Sequence, residues 1–262
     1  MPAQQDPSTS GDVLWSVADD VATVTLNRPE VYNAQTPQMW AQLREIGREL
    51  AGDVRVVVVR GAGRGFSAGL DTAVLAGSGP DDPGLLGLAE LPADQCADVI
   101  AEFQQAFDWL RRPDLLSVAA VQGHAVGAGF QLALACDLRI VADDAQFTMA
   151  ETSLGLVPDL GGTKHLVELV GYSHALEICV TGRRVGAAEA YRLGLATLSV
   201  PLAELDTATG DLVAALRAAP RAASVETKAL LRAAIGNDLP GQLAAEREAQ
   251  VRRIADLAGR GE

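Results

Sequence analysis

Aromatic side chains are scarce in this chain, 4% of 262 residues, and so sparse a set offers no stacking platform for single-stranded nucleic acid. Positive charge is also short: 21 Lys and Arg stand against 34 Asp and Glu, for a net charge of −13. A surface of that sign repels polyanions, so a phosphate-bearing ligand has to be held by a local basic cluster or by backbone N–H groups. The three cysteines, Cys96, Cys136 and Cys179, are odd in number and far apart, which argues against a disulfide framework and for reduced cytosolic thiols. The three histidines, His124, His165 and His174, form no HxxxH pair, and with the cysteines they show no metal-ligand spacing. No apolar run reaches the length that crosses a bilayer. Met1–Gly11, rich in Gln, Ser, Thr and Pro, lacks the apolar core of a signal peptide. The expectation is a soluble cytoplasmic protein with no metal, membrane or nucleic-acid contact, whose residues 1–11 are flexible.

What the chain does hold is aliphatic: 48% hydrophobic residues and 26 glycines, suited to helices packed closely on a sheet. Its length fits one α/β domain with a helical appendage. Val13–Val17 and Val21–Leu26 read as strands joined by Asp19-Asp20, and Thr36-Pro37 reads as an N-cap and first helical residue. Val54–Arg60 is β-branched almost throughout, as a strand buried on both faces should be. Ala93–Arg112 is a helix stopped by Pro113, Leu116–Gln122 a strand, Ala128–Ala135 a short apolar helix, and Leu138–Ala142 a strand. Helical segments follow at Gly162–Val170, Ser173–Val180 and Ala187–Leu193, then at Leu202–Ala219, Arg221–Ile235 and Leu239–Leu257. The stretch Gly77–Pro92, of Gly, Pro, Asp and Ser with scattered Leu, reads as irregular and as a candidate lid. Strand–turn–helix units fill the first half and helices the second, an α/β architecture with a helical C-terminal region.

Two glycine turns carry the chemistry. Gly65-Phe66-Ser67-Ala68-Gly69-Leu70-Asp71 and Gly123-His124-Ala125-Val126-Gly127-Ala128-Gly129-Phe130-Gln131 each follow an apolar strand and lead into a helical pattern. Such turns leave backbone N–H groups free at a helix start, and two of them face to face would form an oxyanion hole. They can equally serve tight strand-to-helix packing alone. Neither is a nucleotide loop: the third glycine of GxGxxG falls at Phe66 in one and at Leu132 in the other, and no GK[ST] is present. His124 reads as a packed turn residue and Asp71 as a local cap. Farther on, Glu151 and Asp159 stand between apolar runs, where a carboxylate is costly to bury unless it has partners or a task; each can also be a cap or turn residue. Gln131 is a polar side chain in an apolar helix.

The ordered set of these pieces resembles the crotonase, or enoyl-CoA hydratase/isomerase, superfamily. The matching pieces are Leu26-Asn27-Arg28-Pro29-Glu30, Asn33-Ala34, the two glycine turns, Leu132-Ala133-x-Ala135-Cys136-Asp137, Gly155-Leu156-Val157-Pro158, Gly161-Gly162-Thr163, Thr181-Gly182, Ala188-x-Ala190 and Gly194-Leu195. The resemblance implies a spiral core of ββα units over residues 12–200, and a helical region over 201–262 that assembles a homotrimer or a dimer of trimers. It implies an oxyanion hole from the N–H groups of Ala68 and Ala128, which would hold a thioester carbonyl and stabilise an enolate. Arg28, Ala34, Ser67, Gly69, Leu70, Asp71 and Gly127 would line the path of substrate and coenzyme A, with Lys228 and Arg232 as candidates for the phosphates. No tightly bound cofactor is implied, because coenzyme A arrives as part of the substrate. The family's hydratases use two glutamates. The second corresponds to Glu151, but the first corresponds to Gln131, which cannot exchange a proton. Glu151 and Asp159, with a neutral Gln131, favour double-bond isomerisation of an acyl-CoA over hydration. A hydratase with water held by Gln131 and a non-catalytic acyl-CoA binder are the alternatives.

Overall fold

The computed structural model describes residues 10–50, 52–77 and 84–259; residues 1–9 of the expected flexible terminus and 78–83 of the expected lid lie outside them. Strands β1 (Val13–Ala18) and β2 (Val21–Leu26) form an antiparallel hairpin over Asp19-Asp20, with Asp19 at φ 55°. Helix α1 (Pro37–Glu49) starts where Thr36 accepts the Met39 N–H at 3.2 Å. Strand β3 (Val56–Gly61) is followed by the first glycine turn and the short helix α2 (Thr72–Ala76). Residues 84–90, inside the stretch expected to be irregular, form a 3-10 helix instead, and α3 (Ala93–Asp108) follows.

Strands β4 (Leu116–Val121) and β5 (His124–Val126) bracket the second glycine turn, which opens α4 (Ala128–Ala135). Then come β6 (Leu138–Ala142), β7 (Gln146–Thr148), α5 (Gly162–Thr181), β8 (Val185–Gly186), α6 (Ala187–Arg192) and β9 (Leu198–Val200). The sequence reads α5 as two helices, and a break does lie between them, at Gly171 with φ 77° and ψ 163°. Three helices close the chain: α7 (Leu205–Ala218), α8 (Arg221–Ala234) and α9 (Leu239–Leu257).

The main sheet runs β1-β2-β3-β4-β6-β9 and is parallel after its first hairpin. Both faces of its central strands are covered, which is why β3 opens with four consecutive valines, Val56 to Val59. Val57, Val59, Ala119, Val121 and Val141 face the large core beneath α1, α3 and α4. Val56, Val58, Val118, Ala120 and Ile140 face the other way, onto Leu205 and Val213 of α7. Helix α7 is therefore part of the core, although the expected division at residue 201 groups it with the C-terminal helices. A second sheet, β5-β7-β8, stands beside the first and carries the start of α4.

The most buried tie between helix α8 and this core is a lysine. Lys228, 7% exposed, donates to the carbonyls of Arg112 at 2.8 Å and Leu115 at 2.7 Å and to Asp137 Oδ2 at 2.7 Å. Asp137 Oδ2 also accepts from the Ser117 N–H at 2.9 Å and its hydroxyl at 3.1 Å. Removing one member of a buried pair strands the other charge. Lys228→Met should lower unfolding free energy by about 3–5 kcal/mol in urea denaturation, and Lys228→Met/Asp137→Leu should recover part of that loss.

Candidate active site

The first turn is fixed from behind by Asn33, which is fully buried and holds a left-handed φ of 56° next to Tyr32 at 53°. Its amide nitrogen donates to the carbonyls of Ala62, Gly65 and Phe66 at 2.8, 2.9 and 3.2 Å. Ser67 extends the frame: its hydroxyl donates to Asn33 O at 2.8 Å and accepts from the Gln35 amide and the Gly69 N–H, both at 3.1 Å. The Ser67 N–H bonds His124 O at 2.9 Å and the Val126 N–H bonds Ser67 O at 3.0 Å. These two bonds join the turns side by side.

The approach is so close that a Cβ at Gly69, where φ is +84°, would sit 2.4 Å from Val126 O. The same position lies 3.4 Å from the Ala128 nitrogen, so the two helix starts meet. Gly127, with φ +49°, is less tightly held: a Cβ there would lie 3.2 Å from Glu151 Oε1.

The geometry corrects one expected donor. The Ala68 N–H is committed to Tyr32 O at 2.8 Å and is not available to a ligand. Two residues on, Gln35 N–H bonds Gly69 O at 2.6 Å and Asp71 N–H bonds Gln35 O at 2.8 Å, which turns the Leu70 peptide N–H to the opposite side. Leu70 and Ala128 both line the cavity. Among the described residues neither backbone N–H has a protein acceptor. The free pair of donors is therefore Leu70 and Ala128.

The cavity has a volume of about 480 Å³. Of the residues expected on the substrate path, Ala68, Gly69, Leu70, Gly127, Ala128, Gln131, Glu151 and Asp159 line it. Arg28, Ala34, Ser67 and Asp71 form the frame behind. Arg28 donates to Ala34 O at 2.7 Å and to Asp71 Oδ2 at 3.0 Å, and Asp71 Oδ1 caps α2 by accepting the Ala73 N–H at 3.1 Å, the local cap read from the sequence. Of the two candidates for the phosphates, Lys228 is buried against Asp137 and so withdrawn from solvent, while Arg232 is exposed and donates to Arg111 O. His124, expected to be packed, is exposed at the start of β5 and stands edge-on to Tyr32, 6.4 Å between ring centres.

The apolar wall came largely unannounced. Trp40 of α1, Leu75 of α2, Leu85, Leu86 and Leu88 of the 3-10 helix, and Ile100 and Phe103 of α3 form it, with the Trp40 and Phe103 rings 4.9 Å apart. The helical spacing of Cys96, Ile100 and Phe103 was the available signal; it reads as core face until the hollow beside it is seen.

At the polar end Gln131 is 1% exposed and fully engaged at its oxygen. Oε1 accepts the N–H groups of Leu160 at 2.9 Å and Gly162 at 3.2 Å, and Nε2 donates to Glu151 Oε1 at 2.7 Å. Two N–H donors at one end and a carboxylate at the other permit only this orientation of the amide. Glu151 Oε2 is buried and has no protein partner. Burial pushes the Glu151 carboxyl above the ordinary carboxylate range and the nearby Asp159 charge adds to the rise, while the Gln131 hydrogen bond works against it. Burial likewise raises Asp159. The site thus pairs two N–H donors with a carboxylate that presents one uncommitted oxygen, the components needed to polarise a carbonyl and move a proton beside it.

A model of the enoyl-CoA hydratase/isomerase family matches residues 17–258. A protein of Rhodobacter capsulatus named "Probable enoyl-CoA hydratase" is 34% identical over 238 residues, 91% of this chain and 88% of its own length. The Mycobacterium tuberculosis protein named "Probable enoyl-CoA hydratase EchA14" is 38% identical over 256 residues, covering 96% and 90%. Among solved structures, a Thermobifida fusca chain in complex with acetoacetyl-CoA superposes with a TM-score of 0.89 at 49% identity, covering 94% of this chain and 95% of that one. The same protein has been solved with CoA, at a TM-score of 0.88. The chain belongs to the enoyl-CoA hydratase/isomerase family and has the crotonase fold.

Proposed function

We propose that this protein isomerises the double bond of an enoyl-CoA thioester, with Glu151 as the proton carrier. The thioester oxygen occupies the gap between the Leu70 and Ala128 N–H groups. Glu151 Oε2 takes a proton from the α carbon of a 3-enoyl thioester. The electron pair moves through the dienolate to the carbonyl oxygen, and the same carboxyl returns the proton at the γ carbon to give the 2-enoyl product. Asp159, across the site, is the second carboxyl that can hold a proton. The observation that carries this reading is the state of Gln131: it has no proton to exchange, and its oxygen is occupied by Leu160 and Gly162.

The names of the relatives favour a second reading, hydration of a 2-enoyl thioester. It would require water held by the remaining N–H of Gln131 and by Glu151. Binding of acetoacetyl-CoA and CoA by the Thermobifida fusca neighbours supports a CoA thioester as substrate. A homotrimer or dimer of trimers is supported by the exposed Leu231, Ile235, Leu239, Val251, Ile254 and Leu257 of the C-terminal segment, and a reducing cytoplasmic setting suits three free cysteines. Among the described residues no helix is long and apolar enough to cross a membrane.

Deuterium exchange at the α and γ carbons of a panel of enoyl-CoAs separates the readings. Isomerisation predicts exchange at both positions, lost by at least about a hundredfold in Glu151→Gln; undiminished turnover in that variant rules out Glu151 as the carrier. Binding without exchange would identify an inert acyl-CoA binder. Gln131→Glu places a second carboxyl 2.7 Å from Glu151 Oε1, where the two must share a proton, and should raise solvent-oxygen incorporation into crotonyl-CoA.

The pH dependence follows from Glu151. A base acts only when ionised, so the acid limb of kcat/KM should lie above the ordinary carboxylate range and disappear in Glu151→Gln. Because the folded state raises this carboxyl, its stabilising contribution is complete below the unfolded value and is lost as pH rises through the folded one. Glu151→Gln should therefore be more stable than wild type at pH 8, the difference closing towards pH 4 in paired thermal melts.

A further inference from the structure

Helix α4 ends in a pair of arginines that the proton chemistry leaves unexplained. Arg139 of β6 is 2% exposed and donates to Cys136 O at 2.7 Å, Ala133 O at 3.2 Å and Leu195 O at 2.6 Å. Arg111, after α3, donates to Leu134 O at 2.7 Å and Ala135 O at 3.0 Å. Between them the two guanidiniums take the carbonyls of Ala133, Leu134, Ala135 and Cys136, the last of the helix. Among the described residues neither cation has a carboxylate oxygen within 4.0 Å. Burial lowers Arg139 to about 10, which leaves it charged at neutral pH.

Capping alone does not call for this chemistry: the carbonyls need donors, and neutral amides or hydroxyls supply them. Two cations with no carboxylate paired directly to them do more. A helix carries partial positive charge at its first N–H groups and partial negative charge at its last carbonyls. In α4 those ends are separated by eight residues, all of them buried, and at about 1.5 Å per residue the far end is close enough to be felt at the near one in a weakly screening core. Positive charge on the carbonyls cancels the negative end and leaves the positive potential at Ala128 unopposed.

We infer that Arg111 and Arg139 are positioning residues for the carbonyl-polarising site, acting through α4 to set its electrostatic strength. The inference rests on the reading of Leu70 and Ala128 as thioester-oxygen donors. The probe is a push–pull chromophore, 4-dimethylaminocinnamoyl-CoA, whose absorption moves to longer wavelength when its carbonyl oxygen is polarised. It is compared in wild type, Arg111→Gln, Arg139→Gln and Arg111→Lys, alongside α-proton exchange. Gln retains an N–H donor and removes the charge; Lys retains the charge.

The Gln variants should lose a large part of the red shift, with exchange kcat down about tenfold and KM within about threefold, while Arg111→Lys keeps most of both. A folded Arg111→Gln with the full wild-type shift and rate overturns the inference while leaving the proposed function intact. A wild type that binds the probe with no shift overturns both. Arg139→Gln can fail to fold, because its carbonyls are wholly buried; Arg111, only half-buried, then decides the matter alone.

Discussion

Helix α4 has no solvent on any side, and the surrounding architecture answers that constraint. A helix leaves unsatisfied N–H groups at one end and unsatisfied carbonyls at the other. In water these ends are free to hydrate, but in a core each unmet group costs about 1–3 kcal/mol. The carbonyl end of α4 is met by Arg111 and Arg139, which requires the last turn after α3, the start of β6 and the Leu195 loop to converge there. The N–H end is met by protein only in part. The Ala128 N–H opens on a cavity, so an unfilled demand of a buried helix faces the proposed place of the ligand oxygen.

The second donor is brought to that place by backbone contact. Leu70 reaches it because Asn33, Ser67 and Gln35 tie its turn to the strand entering α4, and because no side chain stands between Gly69 and Val126. Chemistry is then divided between two kinds of group. Rigid peptide dipoles face the developing oxyanion and need no reorganisation as charge appears. In the proposed reaction proton movement falls to Glu151, whose elevated pKa follows mainly from the same exclusion of water. Gln131 links the two halves, bonded to the start of α5 at one end of its amide and to the carboxylate at the other.

Much of this was legible before any coordinates, and the exceptions have physical causes. The valine run of β3, the Thr36-Pro37 start of α1 and the whole of α4 follow from local chemistry and were read to within a residue or two. Strands β5, β7 and β8 are two or three residues long, too short for alternation to show. Leucines 85, 86 and 88 sit among glycine and aspartate, so their 3-10 helix depends on packing with α2 and α3 and leaves no periodic trace. At Ala68 the motif gives the turn but not its hydrogen bonds, and the acceptor that claims its N–H belongs to Tyr32, in a left-handed conformation well upstream. Lys228 stands among the candidates for the phosphates in the sequence; only the position of Asp137 in space shows it to be a buried clamp.

That the working donors are main-chain atoms has a genetic consequence. At Leu70 or Ala128 the one substitution that deletes the N–H is to proline. The chain is therefore free to vary the bulk of residue 70, and with it the shape of the cavity beside it, without touching the proposed pair of oxygen donors. Divergence at such a site alters which acyl group fits or which carboxyl answers it long before it abolishes the ability to stabilise an enolate.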